Sequence, residues 1–273
     1  MSGKLYVVGT PIGNLGDLSP RAVEVLKSVD FIAAEDTRVT LKLLNHFGIK
    51  NELVSHYQHS SDEKVDYIFN RIAAGETCAV VSDAGMPCIS DPGEDLVRLC
   101  RENGIEVESV PGPSALITAL AVSGMSTGRF CFEGFLSVNK SGRAKHLFSL
   151  KNEKRTMIFY EAPHKLAATL SDMLEYFGDR EIALVKELTK IHESCERTSL
   201  AAAAEKYKET PPRGEFVVIV SGATEIKQEN YTLEDAVRLA CELIDKGNSA
   251  SYAAKCAAVK TGFRKNDIYK LLV

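Results

Sequence analysis

Short apolar runs that end in glycine, aspartate or proline recur along the first half of the chain, and a stretch with helical spacing follows each one. This alternation constrains the fold more than any other feature. Residues 5–9 (LYVVG), 31–34 (FIAA), 78–82 (CAVVS) and 105–110 (IEVESV) have the length and β-branched content of buried strands. Between them, residues 19–28 open on Ser19 as a cap with Pro20 at the first helical position. Residues 62–74 place Val65, Ile68, Phe69 and Ile72 at i, i+3, i+4 and i+7, and residues 92–103 stop at Gly104. Strand and helix in repetition predict an α/β domain with a largely parallel sheet.

The 273 residues are enough for about two domains. Residues 122–129 (VSGMSTGR) are small and polar and read as a linker between an N-terminal α/β domain, 1–122, and a second, 129–222. The second domain is expected to hold strands over 129–133, 155–160, 181–186 and 216–221, with helices over 141–150, 163–177 and 198–208. A small helical tail, 231–273, follows. Its helices are expected over 232–246, after Ser249 with a stripe of alanines, and over 265–272. The predicted fold is therefore α/β, with two domains, a cleft between them and a helical tail.

Charge decides which partners to consider. The net charge of −4 argues against a protein that coats nucleic acid. It is segregated, however: residues 246–273 carry +5 and the rest −9. The short alanine-rich helices with basic flanks resemble a helix-turn-helix, and their charge suits either nucleic-acid contact or a solvated face. Residues 140–155 hold six Lys or Arg and one acid, a second basic patch or an ordinary exposed helix. No apolar run approaches the length of a membrane span, and the first apolar run is too short for a signal-peptide core. The seven cysteines form no CxxC and suit a reducing cytoplasm, where the chain is expected to reside, with no membrane partner.

Several strand ends carry chemistry-bearing residues. The first strand runs into GTPIGNL, whose spacing matches neither a dinucleotide fingerprint nor a P-loop; it is a ligand loop or a tight turn. The strand at 78–82 ends in SDAGMPCISDPG, long and rich enough in Asp, Gly and Pro for a binding loop. The strand at 105–110 ends in VPGPSA, where Ser114 is expected to cap an apolar helix. Such loops at three strand ends of one sheet point to one cleft. Glu35-Asp36-Thr37-Arg38 offers acid and cation together, or else a helix cap. His56 and His59 lack the partners of a metal site and suit ordinary hydrogen bonding, so no metal is expected. In the second half, FYEAPHK, ELTK and PPRGEFV sit at strand edges.

Taken in order, LYVVGTPIGNLGDLSPRAVEVLKSVDFIAAEDTR, VSDAGMPCISDPG, VPGPSALITAL, RFCFEGFL, FYEAPHK, ELTK and RGEFV resemble the bacterial small-subunit ribosomal RNA methyltransferases of the tetrapyrrole methylase superfamily. The resemblance spans residues 4–221, and Met86 stands where that family often has threonine. It implies S-adenosylmethionine bound between two α/β domains, a homodimer, and 2′-O-methylation of a cytidine in the decoding region of 16S rRNA in the 30S subunit. By the same resemblance the donor would meet Pro11, Gly13, Asp83, Ala84, Gly85, Met86, Ile89, Ser114 and Ala115. Tyr160, Leu188, Gly214, Glu215 and Phe216 would enclose its adenosine. Asp36 or Glu161 is the expected base, Arg38 a phosphate ligand and Lys186 a further cleft residue. Arg143, Lys145, Lys255, Lys260, Arg264, Lys265 and Lys270 are expected to touch RNA. The rivals are a related methylase acting on a tetrapyrrole or a protein side chain, a nicotinamide oxidoreductase, and a non-catalytic RNA-binding module. The missing third glycine weighs against the oxidoreductase, and the three loops weigh against the RNA-binding module.

Overall fold

The computed structural model describes residues 3–57, 62–210, 212–223, 232–245, 248–261 and 263–272. The chain forms two compact units, Met1–Ala223 and Thr224–Val273.

The first unit holds two five-stranded sheets. Strands β1 (Lys4–Val8), β2 (Phe31–Ala34), β3 (Glu52–Ser55), β4 (Thr77–Val81) and β5 (Glu106–Val110) pair in parallel in the order β3-β2-β4-β1-β5. Helices cover both faces, which is why β2 and β4 read as continuous apolar runs. Alternate residues of β2 serve the two faces. Ile32 and Ala34 pack with Ala22, Leu26 and Leu44 of α1 (Pro20–Ser28) and α2 (Thr37–His46). Phe31 and Ala33 pack with Ile68, Ile72, Leu96 and Cys100 of α3 (Asp62–Ala73) and α4 (Glu94–Glu102). The helix that leaves β1 thus covers one face and the helix that leaves β4 covers the other. Neighbouring strands whose crossovers part in this way open a crevice at their carboxyl ends.

The second sheet departs from the parallel pattern of the first. Its strands are β6 (Phe130–Phe135), β7 (Thr156–Glu161), β8 (Glu181–Lys186), β9 (Ser194–Ser199) and β10 (Phe216–Val220). The order is β6-β7-β10-β8-β9, and only β6 and β7 run parallel. One face packs on α5 (Ala115–Val122) through Leu116, Ala119 and Leu120, against Ile158, Ala183, Val185 and Ile219. The other face carries α6 (Lys140–Ser149), α7 (Pro163–Phe177) and α8 (Leu200–Glu209), around Met157, Phe159, Leu166, Leu170 and Leu184. Helix α5 therefore follows the first sheet in sequence and builds the core of the second.

The second unit comprises α9 (Leu233–Asp245), α10 (Ala250–Thr261) and α11 (Lys265–Lys270). Small residues, Ala236, Ala240, Ala253, Ala254 and Ala257, let these helices pack closely around Ile268. No helix among the described residues is long and apolar enough to cross a membrane.

Candidate functional site

The crevice is built by three loops in contact. Thr10 and Gly85 exchange backbone hydrogen bonds (2.9 and 3.1 Å), and the Thr10 hydroxyl donates to the Ser82 carbonyl at 3.1 Å. The ends of β1 and β4 are thereby tied. A Cβ on Gly9 would stand 2.7 Å from Gly112 Cα and 2.7 Å from Met86 Sδ, and one on Gly112 would meet the Gly9 backbone at 2.9 Å. Only hydrogen fits at these two positions, so the first, second and third loops close into one cradle of exposed backbone. Pro11 is buried beneath it and Gly13, Asp83, Ala84 and Ile89 are exposed at its surface.

The second sheet supplies the opposite wall. Tyr160 Oη accepts a hydrogen bond from the Leu116 amide at 3.0 Å. Ser114 does occupy the N-cap of α5, but its side chain makes no capping bond; the Tyr160 phenol takes over one of the amides that a cap would satisfy. Ala115, Tyr160, Leu188 and Ile12 pack in one apolar cluster. On either side of Leu188 the backbone is strained, with positive φ at Glu187 (51°) and Thr189 (64°). The Glu187 amide donates to the Glu215 carbonyl at 3.1 Å, the Glu215 amide donates to the Glu187 carboxylate at 3.0 Å, and Lys190 Nζ bridges the two carboxylates. This clasp holds the Lys190 side chain against Gly13, where a Cβ would meet Lys190 Cγ at 2.8 Å. Thr189 Oγ1 is buried with no hydrogen-bond partner among the described residues. Phe216 behaves differently from the expectation: its ring packs in the core beneath α7 and α8, against Tyr207, on the face away from α5.

The acids at the strand ends fall into two groups. Asp36 caps α2 through the Arg38 amide (2.8 Å) and holds the Arg38 guanidinium, which keeps its carboxyl down at about 2. A carboxylate so committed is a poor proton acceptor, whereas Arg38, though paired with Asp36, stays largely exposed. Glu161 is likewise engaged. It is buried, its oxygens accept from the Thr169 hydroxyl at 2.6 Å and the Ala162 amide at 2.9 Å, and it anchors the start of α7. Lys186 ends β8 half-buried, in register with Phe216.

Glu35, Asp83 and Asp91 form the second group. Glu35 accepts from the Asp83 amide at 3.2 Å, and Asp83 accepts from the Asp36 amide at 3.1 Å. Asp91 hydrogen-bonds Ser82 and feels both neighbours. Burial raises all three, with mutual repulsion adding to it, and Asp91 is pushed up to about 6. No cation forms an ion pair with any of them among the described residues. Arg38 offsets the charge only at Asp83, so the carboxyls stand beside a cradle of exposed backbone, an arrangement that fits a donor carrying a sulfonium and an ammonium group. Sequence reasoning named Asp91 only as part of a turn; its distance from β4 along the chain hid its place beside Glu35.

The remaining candidates are dispersed. Arg143 is committed to Asp172 (2.5 Å) and to the Ser137 carbonyl (3.3 Å), so it serves packing and not phosphate binding. Lys145, Lys255, Arg264 and Lys270 are exposed, and Lys265 donates to Ser251 at 3.0 Å. The side chain of Lys260 and all of His59 lie outside the described residues. His56 is 3% exposed with neither ring nitrogen hydrogen-bonded among those residues, and burial lowers its pKa. The ordinary hydrogen-bonding role expected of it is absent there. No metal-binding cluster occurs among the described residues. A cavity of about 480 Å³ opens at the opposite end of the second sheet, lined by Arg129, Lys154, Thr156 and Gly222, and contains none of the expected site residues.

A parallel sheet joined by its last helix to a mixed sheet, with a glycine-lined crevice between them, defines a class. The chain belongs to the tetrapyrrole (corrin/porphyrin) methylases, whose family pattern matches residues 4–204. The methyl donor of this family is S-adenosylmethionine. Within the family, several relatives carry the name ribosomal RNA small subunit methyltransferase I. The protein of that name from Synechocystis is 45% identical over 98% of this chain and 97% of its own length. That from Escherichia coli O157:H7 is 44% identical over 98% and 94%. The Thermotoga maritima protein is 48% identical, covering 99% of its own length but 81% of this chain. Solved structures share the fold. Uroporphyrin-III C-methyl transferase from Thermus thermophilus, complexed with S-adenyl homocysteine, has a TM-score of 0.57 at 21% identity, over 80% of this chain and 97% of that one. Diphthine synthase has a TM-score of 0.62 at 13% identity, over 82% and 91%.

Proposed function

We propose that the chain methylates the 2′-hydroxyl of a cytidine ribose in the decoding region of 16S rRNA, using S-adenosylmethionine, and that it acts on the 30S subunit as a cytoplasmic homodimer. The observation that carries this reading is identity of 40–47% over 98–99% of the chain to proteins named ribosomal RNA small subunit methyltransferase I. The two sheets act as separate domains, 1–122 and 129–222, and the donor lies in the crevice between them.

The bound donor supplies a methyl group on a positively charged sulfur, already a good leaving group. The residues therefore have to align, exclude water and accept a proton. The loops at Pro11–Gly13, Asp83–Ile89 and Ser114–Ala115 present backbone to it. Tyr160 and Leu188 give its adenosine an apolar wall, and Gly214 and Glu215 close the edge through the Lys190 clasp. In the transfer the ribose oxygen bonds to the methyl carbon, the carbon–sulfur bond breaks with its electron pair left on sulfur, and the hydroxyl proton leaves to a carboxylate. Asp91 is our choice for that carboxylate, since Asp36 and Glu161 are spent on structure and Asp91 is not ion-paired. The exposed cations Lys145, Lys255, Arg264, Lys265 and Lys270 would meet rRNA phosphates.

Labelled S-adenosylmethionine incubated with 30S subunits that lack their own modification tests this. Label in 16S rRNA as a 2′-O-methylcytidine supports the reading. Label transferred only to a tetrapyrrole, or to ribosomal protein, defeats it.

A further inference from the structure

The rim of the crevice carries an aromatic surface that the donor reading leaves unused. Strand β6 begins by alternating normally, with Phe130 and Phe132 turned toward the α5 side of the sheet. Simple alternation would then send Phe135 to the opposite core. It does not, because the register against β7 slips between Phe132 and Gly134, pairing Phe132 with Ile158 and Gly134 with Phe159. One extra residue reverses the facing of everything after it. Gly134 takes up the turn with φ of 63°. Phe132 and Phe135 consequently flank the same ring, Tyr160, edge to face at 4.9 and 5.4 Å.

The result is an exposed ring in a chosen orientation. Phe135 is 58% exposed, although an apolar core for its side chain lies just across the strand. The loop that carries Asp91 passes beside it: a Cβ on Gly134 would stand 3.2 Å from Ser90 Oγ. Asp91 also acts electrostatically on the Tyr160 hydroxyl, which places its carboxyl within range of the aromatic group. A bulge therefore brings an open aromatic face beside a carboxyl that is not ion-paired.

We propose that Phe135 is the platform on which the base of the acceptor nucleotide stacks. Its ring edge would be steadied by Tyr160, and the attached ribose would be carried toward Asp91. Methylation of a nucleotide inside folded RNA requires that nucleotide to leave its stack, and a protein aromatic face replaces the lost stacking. A single exposed ring suits one planar base. The inference rests on the rRNA reading above.

The test uses the full chain, 30S subunits lacking the modification, and saturating labelled S-adenosylmethionine. Phe135→Ala should lower kcat/KM for 30S by about 5- to 100-fold, the loss that removal of one stacked base implies. Phe135→Leu should lose nearly as much, since it keeps apolar bulk but no π face, and Phe135→Tyr should keep most of the activity. Binding of S-adenosyl homocysteine, measured by calorimetry, should be unchanged in all three, which also shows that they fold. Equal activity of Phe135→Ala and wild type overturns the proposal, as does rescue by leucine as full as that by tyrosine. Weakened S-adenosyl homocysteine binding would assign the ring to the donor and also overturns it. If the wild-type chain itself transfers no methyl to 30S, the rRNA reading has failed and the platform falls with it.

Discussion

Replacing Asp91 with asparagine should stabilise the fold while it removes activity. Glu35, Asp83 and Asp91 ionise at one end of the first sheet, with no cation paired to them among the described residues. Burial first, then repulsion from Glu35 and Asp83, raises the Asp91 carboxyl from its ordinary 3.8 to about 6. In full, a rise of that size corresponds to roughly 3 kcal/mol of unfavourable ionisation. Asp91 is only half-buried, so solvent screening reduces this to ~1 kcal/mol. An asparagine oxygen still accepts from Ser82, so little is lost in exchange. The folded state binds the Asp91 proton more tightly than the unfolded chain does. The penalty is therefore present above about pH 6 and fades as pH falls toward 3.8. Asp91→Asn should raise Tm by about 2–4 °C at pH 7.5, with a much smaller difference from wild type near pH 4.5, while single-turnover methyl transfer falls by about 100-fold or more. Scanning calorimetry at the two pH values and a quench-flow rate decide the matter. A variant that is less stable than wild type at pH 7.5, or whose stability difference does not vary with pH, refutes the reasoning about the cluster. An unchanged rate refutes Asp91 as base.

Three further outcomes are expected. The wild-type transfer rate should fall as pH drops through about 6, because the base must be ionised to accept a proton; Asp36→Asn should leave that midpoint in place, and a midpoint that moves with Asp36 would restore it as base. Gly9→Ala inserts a Cβ 2.7 Å from Gly112 Cα and Met86 Sδ, so it should separate the loops, cost about 1–3 kcal/mol of stability and weaken S-adenosyl homocysteine binding in a calorimetric titration; wild-type affinity would show that the cradle is not the donor site. Removing residues 224–273 should leave S-adenosyl homocysteine binding intact and lower both the affinity for 30S and the slope of its salt dependence. The Thermotoga maritima relative, which matches only 81% of this chain with 99% of its own, is shorter by about the length of that unit, and an unchanged 30S affinity would dismiss the tail as an RNA contact.

The first sheet was legible because its central strands are covered on both faces and so are apolar without interruption, as in Phe31–Ala34. Its edge strand β3 and the edge strand β9 escaped notice for the complementary reason. ELVS and SCERTS are half-solvated and carry charges, which leaves no run and little period. The antiparallel pairing of β10 was likewise invisible, because strand direction is set by where the chain returns, not by the composition of FVVIV.

The site was legible as loops but not as roles. Gly9, Asp83 and Ser114 all lie at strand ends, where ligands bind in such sheets. Which carboxylate is free depends on how side chains meet once the chain has folded, even when the partners are near in sequence. Glu161 looks like a cleft acid until Thr169 is seen to hold it, and Asp36 looks like a base until Arg38 folds onto it. The bulge that turns Phe135 outward is likewise a property of pairing with β7, of which Gly134 is the only local trace.

The most direct measurement is methyl transfer from labelled S-adenosylmethionine to unmodified 30S subunits, followed by mapping of ribose methyls along 16S rRNA. A single new 2′-O-methylcytidine in the decoding region is the predicted result. Donor binding with no label in rRNA would contradict the proposed acceptor, and no donor binding at all would contradict the assignment of the crevice.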